Sequence, residues 1–363
     1  MKVVINSAVL SNPLTGVARY AFELGAALGG LDSVSVEYWA SRSFRDRLRQ
    51  HLDPGSVYRT FRHLRGLGPA VLPALMSAAH GVDVVHFPNG DLLPCPVPRT
   101  AMVHDLAPFI LEDLLPRRLT EHYRGRTQRI VGRCRAIMVN SRTTMSDLLE
   151  RFPEAEGRCF LTIPGSDHRR ASDGKVPLPP GLRPGYLLSV GTMEPRKNYD
   201  RLIRAYGNLV TARAGEEVPP LVICGGPGYL SAETIRLASS LGLGERVRFT
   251  GYVSEEVLST LYRNARAYVH PSLYEGFCFP VAEAIRAGLP VAAADNSAIR
   301  ELYSGMYEPF DALDIGSITS ALTPIALHDV SAPAPDARRE LLASLSWRAC
   351  AERTLEALRS ACG

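Results

Sequence analysis

Two glutamates, Glu275 and Glu283, stand eight residues apart in PSLYEGFCFPVAEAIRAGLP (271–290), a stretch that is otherwise almost entirely apolar. Acidic side chains are rarely buried unless paired or hydrogen-bonded, so either solvent reaches both carboxylates or they hold something. A carboxylate accepts two hydrogen bonds side by side, which matches adjacent hydroxyls of a ribose or hexose. Gly276 permits a turn and Pro280 suits the first turn of a helix. The backbone N–H groups of Phe277, Cys278 and Phe279 are therefore expected at a helix N-terminus, with Glu275 on the preceding loop and Glu283 in the first turn. Such a terminus attracts phosphate. A plainer reading is that Glu283 complements the helix dipole and Glu275 caps the turn.

A second cluster lies in SVGTMEPRKNYDRLIRAYGNL (189–209), where a strand is expected to end at Gly191 and a helix to begin at Tyr199. Arg196 and Lys197 fall between them, a planar fork beside a point charge, which suits a diphosphate. An isolated Arg-Lys pair is more often solvated, and its position at a strand end is what favours function here. In AMVHDLAPF (101–109), His104 and Asp105 close a strand, where the alternatives are a catalytic pair and a packed core histidine. Gly16 precedes a helix and either admits a ligand to the backbone or makes a turn; no G-x-G-x-x-G fingerprint accompanies it. LVICGGPG (221–228) is a glycine-rich turn after a strand, weak by itself.

These residues need elements to position them. KVVIN (2–6), VDVVHF (82–87), TAMVHD (100–105) and AIMVNS (136–141) are continuously apolar and read as buried parallel strands. Helical patterns separate them, including 16–28 and 143–152. The segment 166–185, rich in Pro, Gly and charge, reads as a linker. Strand-like runs then resume at YLLSVG (186–191), LVICGG (221–226), VRFTG (247–251), AYVHPS (267–272) and PVAAAD (290–295), before a final amphipathic helix over 346–361. The expected organisation is α/β, with two doubly wound domains over 1–165 and 186–345 and the 346–363 tail last. Ligands of such sheets bind beyond the carboxyl ends of the strands, and a site between the two domains is the default expectation.

With 46% hydrophobic and 21% charged residues, the 363-residue chain is globular rather than disordered. No apolar run reaches the ~20 residues of a membrane span, and the N-terminus reads as a first strand rather than a signal peptide. Seven scattered cysteines without C-x-x-C suit a reducing compartment and argue against a disulfide framework or a zinc site. The net charge is only +4, yet arginines crowd the 42–67 region. There Phe44, Leu48 and Leu52 give a helix with one apolar stripe. It is either a solvated surface or a contact for anionic lipid or a phosphate-bearing acceptor. No nucleic-acid motif accompanies the charge.

YEGFCFPVAEAIRAGLPVAAADNSAIREL resembles the E-x7-E segment of retaining GT-B glycosyltransferases of family GT4, and VGTMEPRKNYDRLIRAY resembles their donor-diphosphate loop. NPLTGVARYAFELGAAL, VHDLAPF, IMVNS and SWRACAERTLEAL follow the same family's order, so the resemblance spans nearly the whole chain. It implies a GT-B fold of two Rossmann-like domains, N-terminal for acceptor and C-terminal for donor, with the last helix crossing back. Arg196 and Lys197 would neutralise the donor diphosphate, supported by Gly191 and Thr192. Glu283 would take the ribose, and Glu275 the transferred sugar beside the amides of Gly276 to Phe279. Tyr252 and Val253 would lie near the base, Gly16 would close over the diphosphate, and His104 would contact the sugar. Asp105 and Asn140 are the acceptor-side candidates. Cys278 and Phe279 depart from the small or aliphatic residues common at their positions.

The expected activity is retaining hexosyl transfer, without a metal since no Asp-x-Asp motif is suitably placed. It needs no cofactor beyond a nucleotide-sugar co-substrate. GDP-mannose is favoured, with UDP- and dTDP-sugars open. The acceptor would be a glycan or lipid-linked oligosaccharide of surface polysaccharide, in the cytoplasm at the inner membrane face. The rivals are a nucleotide-sugar epimerase of the same fold and a glycoside hydrolase, which also uses two carboxylates.

Overall fold

Continuously apolar runs do become strands of parallel sheets buried on both faces. The computed structural model describes residues 1–7, 15–41, 57–61, 80–111, 114–167, 176–228 and 231–363. The chain divides into two compact units, Met1–His168 with Leu345–Gly363, and Arg169–Ser344.

The first unit holds a seven-stranded parallel sheet: β1 (Lys2–Asn6), β2 (Ser35–Ser41), β3 (Val57–Phe61), β4 (Val84–Phe87), β5 (Arg99–Val103), β6 (Ala136–Val139) and β7 (Cys159–Leu161). Its order is β3-β2-β1-β4-β5-β6-β7, so direction of winding reverses between β1 and β4. The helix Gly16–Gly29 returns from β1 and buries Tyr20, Leu24 and Leu28 completely. At Gly25 a Cβ would come within 2.1 Å of Tyr38 Oη, so a larger residue there would have to displace the Tyr38 phenol that packs on this helix from β2. The helix Trp347–Cys362 joins the same unit, burying Cys350, Ala351, Ala357 and Leu358. Its start is stitched down by Ser166 N to Leu345 O at 2.8 Å and Trp347 N to Asp167 Oδ1 at 2.9 Å.

The second unit holds a six-stranded parallel sheet: β8 (Tyr186–Val190), β9 (Leu221–Cys224), β10 (Val247–Gly251), β11 (Ala265–His270), β12 (Val291–Ala294) and β13 (Glu308–Phe310). The order β10-β9-β8-β11-β12-β13 places its reversal between β8 and β11. The helix Tyr199–Ala212 presents Leu202, Ile203, Tyr206 and Leu209 to the core at helical spacing. Each such side chain contributes about 1.5–3 kcal/mol on full burial.

Four strands go beyond those expected from apolar runs. β2 carries Glu37, 1% exposed and paired to Lys2 at 3.1 Å, so its polarity hides its burial. β7 and β13 are three residues each, and β3 forms the sheet edge inside the arginine-rich region. The cationic helix expected over Phe44, Leu48 and Leu52, and residues 62–67, lie outside the described residues. Residues 168–175 of the expected linker do too, while Val176 already bonds within the second unit, its carbonyl accepting from Thr260 Oγ1 at 3.2 Å. Among the described residues no helix is long and apolar enough to cross a membrane.

Candidate functional site

The reversal point of the second sheet gathers the charged residues. β8 ends at Val190 and leads through Gly191 to the short 3-10 turn Pro195–Lys197; β11 ends at His270 and leads to Glu275. Glycines make this meeting feasible. A Cβ on Gly225 would lie 2.0 Å from Gly191 O, and one on Gly228 would lie 2.1 Å from Met193 O. The weak glycine signal of LVICGGPG is thus a packing requirement: the loop after β9 presses on the backbone of the loop after β8.

Glu275, 6% exposed, is the hub. Its Oε1 accepts from the Lys197 ammonium and lies 3.0 Å from His270 Nε2; its Oε2 accepts from Arg196 Nη1 at 3.2 Å. Arg196 also bonds Tyr274 O at 3.3 Å and reaches Glu194 with Nε at 3.3 Å. Burial pushes the Glu275 pKa up, but Lys197 and Arg196, with help from His270, outweigh it and hold the carboxyl well below the usual carboxylate range. Burial, then the Glu275 charge, drives the Cys278 thiol far up, so it stays protonated.

The backbone around this hub is strained. Among the described residues the non-glycine residues with positive φ are Asn198 (58°), Cys278 (70°) and Ser297 (43°). All three support the site. Asn198 follows Lys197 and its Nδ2 bonds Pro271 O at 3.0 Å and Ala312 O at 2.7 Å. Ser297 Oγ accepts from Glu275 N at 3.0 Å. Cys278 sets the N-terminus of the helix Phe279–Ala287, with its Sγ 3.2 Å from His270 Nε2. Such conformations cost of order 1–3 kcal/mol each and cluster where function fixes geometry.

Glu283 sits in the second turn of that helix rather than the first, because the helix begins at Phe279. It is 5% exposed, and Tyr262 Oη donates to its Oε2 at 2.9 Å. Pro280 takes its expected first-turn place. Gly191 donates to Cys224 O at 2.9 Å and accepts from Tyr199 Oη at 3.1 Å. Thr192 is half-buried in the same loop, its carbonyl accepting from Glu194 N at 2.8 Å. Tyr252 is 52% exposed just beyond β10, with Val253 half-buried beside it. Asn198, His270, Ser297 and Tyr262 were missed as site residues. Only His270 carried a usable signal, a histidine closing a buried strand.

The donor atoms of His270, Glu275 and Cys278 lie within 4.8 Å of one another. Lys197 already engages the carboxylate oxygen that faces His270, and the thiol is protonated.

In the first unit, the His104–Asp105 pair separates. Asp105 Oδ1 accepts from Ala107 N at 3.0 Å and so caps a turn. His104 is half-buried, its ring edge-on to Tyr20 at 5.1 Å, and its Nε2 lies 2.6 Å from Pro88 O. Burial lowers its pKa to about 4, with the Pro88 carbonyl opposing, so the ring is neutral and Nε2 bears its proton. Asn140 Nδ2 donates to His104 O at 2.7 Å, while its buried Oδ1 has no partner among the described residues. Gly16 is exposed at the start of the helix Gly16–Gly29.

Comparison with known proteins agrees with this geometry. Residues 176–304 match the family described as "Glycosyl transferases group 1", and residues 14–170 match "Glycosyltransferase Family 4". The chain belongs to these glycosyltransferases and has the GT-B fold. It is 24% identical to the O-antigen chain mannosyltransferase B of Escherichia coli, covering 99% of this chain and 100% of that one. It is 32% identical to the serotype-specific mannosyltransferase WbdA of Escherichia coli over 50% of this chain, a match spanning 23% of that longer protein. Among solved structures, HepE of Anabaena in complex with UDP and glucose superposes with a TM-score of 0.70 at 16% identity, covering 99% of this chain and 100% of that one.

Proposed function

We propose that this glycosyltransferase moves a hexose, with mannose favoured, from a nucleotide-diphosphate sugar to a glycan or lipid-linked acceptor of surface polysaccharide. The observation that carries the reading is the convergence of Arg196 and Lys197 on the buried Glu275 at the reversal point of the second sheet. Two cations are held there at the carboxyl ends of β8 and β11, where parallel sheets bind ligands. The donor diphosphate takes the place of Glu194 at Arg196 and adds bonds from Lys197. Both then oppose the charge that grows as the anomeric C–O bond breaks; one such donor is worth about 3–4 kcal/mol. The acceptor oxygen bonds the anomeric carbon on the face the phosphate leaves, its proton passing to a phosphate oxygen, so configuration is retained. Glu275 takes hydroxyls of the sugar and Glu283 those of the ribose. No metal is invoked, because Arg196 and Lys197 supply the positive charge.

GDP-mannose is the favoured donor because the relatives named above are mannosyltransferases; UDP- and dTDP-sugars are the alternatives. His104 has given its one N–H to Pro88 O, so it offers a sugar hydroxyl only the lone pair of Nδ1, and Asn140 Oδ1 is a second acceptor near it. We place the enzyme in the cytoplasm at the inner membrane face, with the arginine-rich 42–67 region as its contact. A thermal-shift panel of GDP, UDP, dTDP and their sugars tests the reading, since a ligand that binds only the folded state raises Tm. GDP and GDP-mannose are expected to shift it most. No shift with any of them overturns the proposal, and product formed from donor alone marks an epimerase.

A further inference from the structure

His270 closes β11 and is buried, at 1% exposure. Its Nε2 lies 3.0 Å from Glu275 Oε1, an ionised carboxylate that can only accept, so Nε2 bears the hydrogen. Burial lowers the His270 pKa, with Glu275 opposing, and leaves the ring neutral. Nδ1 is therefore a lone pair and takes the hydrogen of Tyr268 Oη at 3.0 Å. Tyr268 Oη could serve either tautomer, and Cys278 Sγ also lies 3.2 Å from Nε2, but the Glu275 carboxylate is served only by the Nε2–H form.

We infer that His270 is a positioning residue: fixed by the Glu275 carboxylate as the neutral Nε2–H tautomer, with Tyr268 filling Nδ1, it holds Glu275 against Lys197 and Arg196 without adding a third positive charge. The inference rests on Glu275 serving the transfer reaction. A protonated histidine there would compete with the two cations for the carboxylate and weaken their pairing. The neutral donor instead aims Oε1 while leaving the positive charge on the groups that meet the diphosphate. The titratable groups facing Glu275 are Arg196, Lys197, His270, Cys278, Tyr199 and Tyr303. Burial drives the thiol and both phenols upward, so on the acid side only His270 and the carboxylate respond.

The test compares His270→Ala, His270→Gln and Tyr268→Phe with the wild type by nucleotide-sugar turnover across pH and by 15N NMR of the histidines. His270→Ala is expected to lower kcat by about 10- to 100-fold with little change in KM. It should also move the acid limb of kcat/KM to higher pH, because a donor to the charged carboxylate has gone. His270→Gln keeps a donor at that place and should restore most of kcat. In the wild type at neutral pH the His270 signals should report the Nε2–H form, and Tyr268→Phe should keep it, since the Glu275 carboxylate fixes it. Equal losses for Ala and Gln with an unmoved acid limb would reduce His270 to a packing residue. An Nδ1–H or doubly protonated ring would overturn the lock outright. A wild-type protein that consumes no nucleotide sugar sinks the transfer reading instead, and the nitrogen spectra then decide whether the lock exists.

Discussion

Replacing Glu275 with glutamine keeps the side chain's shape and removes its charge. Lys197 and Arg196, with side chains 10% and 22% exposed, then face a neutral amide. Losing one partner of a buried ion pair costs about 3–5 kcal/mol. Arg196 keeps Glu194 at 3.3 Å, so the lower end of that range applies. In a domain of this size 1 kcal/mol moves Tm by about 2–4 °C, giving an expected fall of about 6–12 °C for Glu275→Gln. Saturating nucleoside diphosphate should reverse much of it, since ligand at a hundred times Kd adds about 2.7 kcal/mol. The two released cations bind the diphosphate at least as tightly as before. The ligand-induced rise in Tm is therefore expected to equal or exceed that of the wild type, while turnover falls by about 100-fold. Differential scanning fluorimetry with and without GDP, beside a turnover assay, measures both. A Glu275→Gln protein with unchanged Tm and no response to GDP would refute the reasoning, because Glu275 would then contact the nucleotide rather than hold the cations.

Gly225→Ala should weaken nucleotide binding through the Gly191–Lys197 loop, because its Cβ would lie 2.0 Å from Gly191 O; overpacking of this kind costs about 1–3 kcal/mol, readable as a loss of GDP affinity by calorimetry. Cys278→Val should destabilise more than Cys278→Gly, since φ is 70° and a β-branched residue resists that conformation; the two melting temperatures decide the order. His86 and His104 have pKa values lowered to about 3 and about 4 from the ordinary 6.5, burial being the main cause. As pH falls below the ordinary value, the unfolded chain takes up protons that the folded rings refuse. Stability of the first unit should therefore drop by about 3–4 kcal/mol between about pH 7 and about pH 5, with the fall ending near the folded values. Urea unfolding at the two pH values measures it, and stability that held or rose would contradict the assignment.

What the sequence disclosed follows from where each signal is local. β1, β4, β5, β6 and β8 to β12 are short apolar runs, and burial on both faces makes them readable one residue at a time. β2 is not, because Glu37 is satisfied by Lys2, which lies on another strand. The charged residues of the site were legible by type and by their places at strand ends. Their bonding was not: Lys197 and Glu275 are separated by 78 residues and meet only because β8 and β11 are neighbours in the sheet. His270 carried a signal as a histidine closing a buried strand, but its bonds to Tyr268 two residues before it and Glu275 five residues after it depend on how the chain turns beyond β11. Adjacency of His104 and Asp105 in sequence did not disclose their bonding either: Asp105 Oδ1 accepts from the Ala107 amide, and His104 Nε2 faces Pro88 O.

The most direct test is calorimetric binding of GDP and UDP to the double variant Arg196→Ala with Lys197→Met. Loss of affinity by two orders of magnitude or more is the expected result, since two charge-assisted bonds to the diphosphate vanish at about 1.5–3 kcal/mol each. A folded double variant that binds nucleoside diphosphate as the wild type does would contradict the claim that these two cations grip the donor.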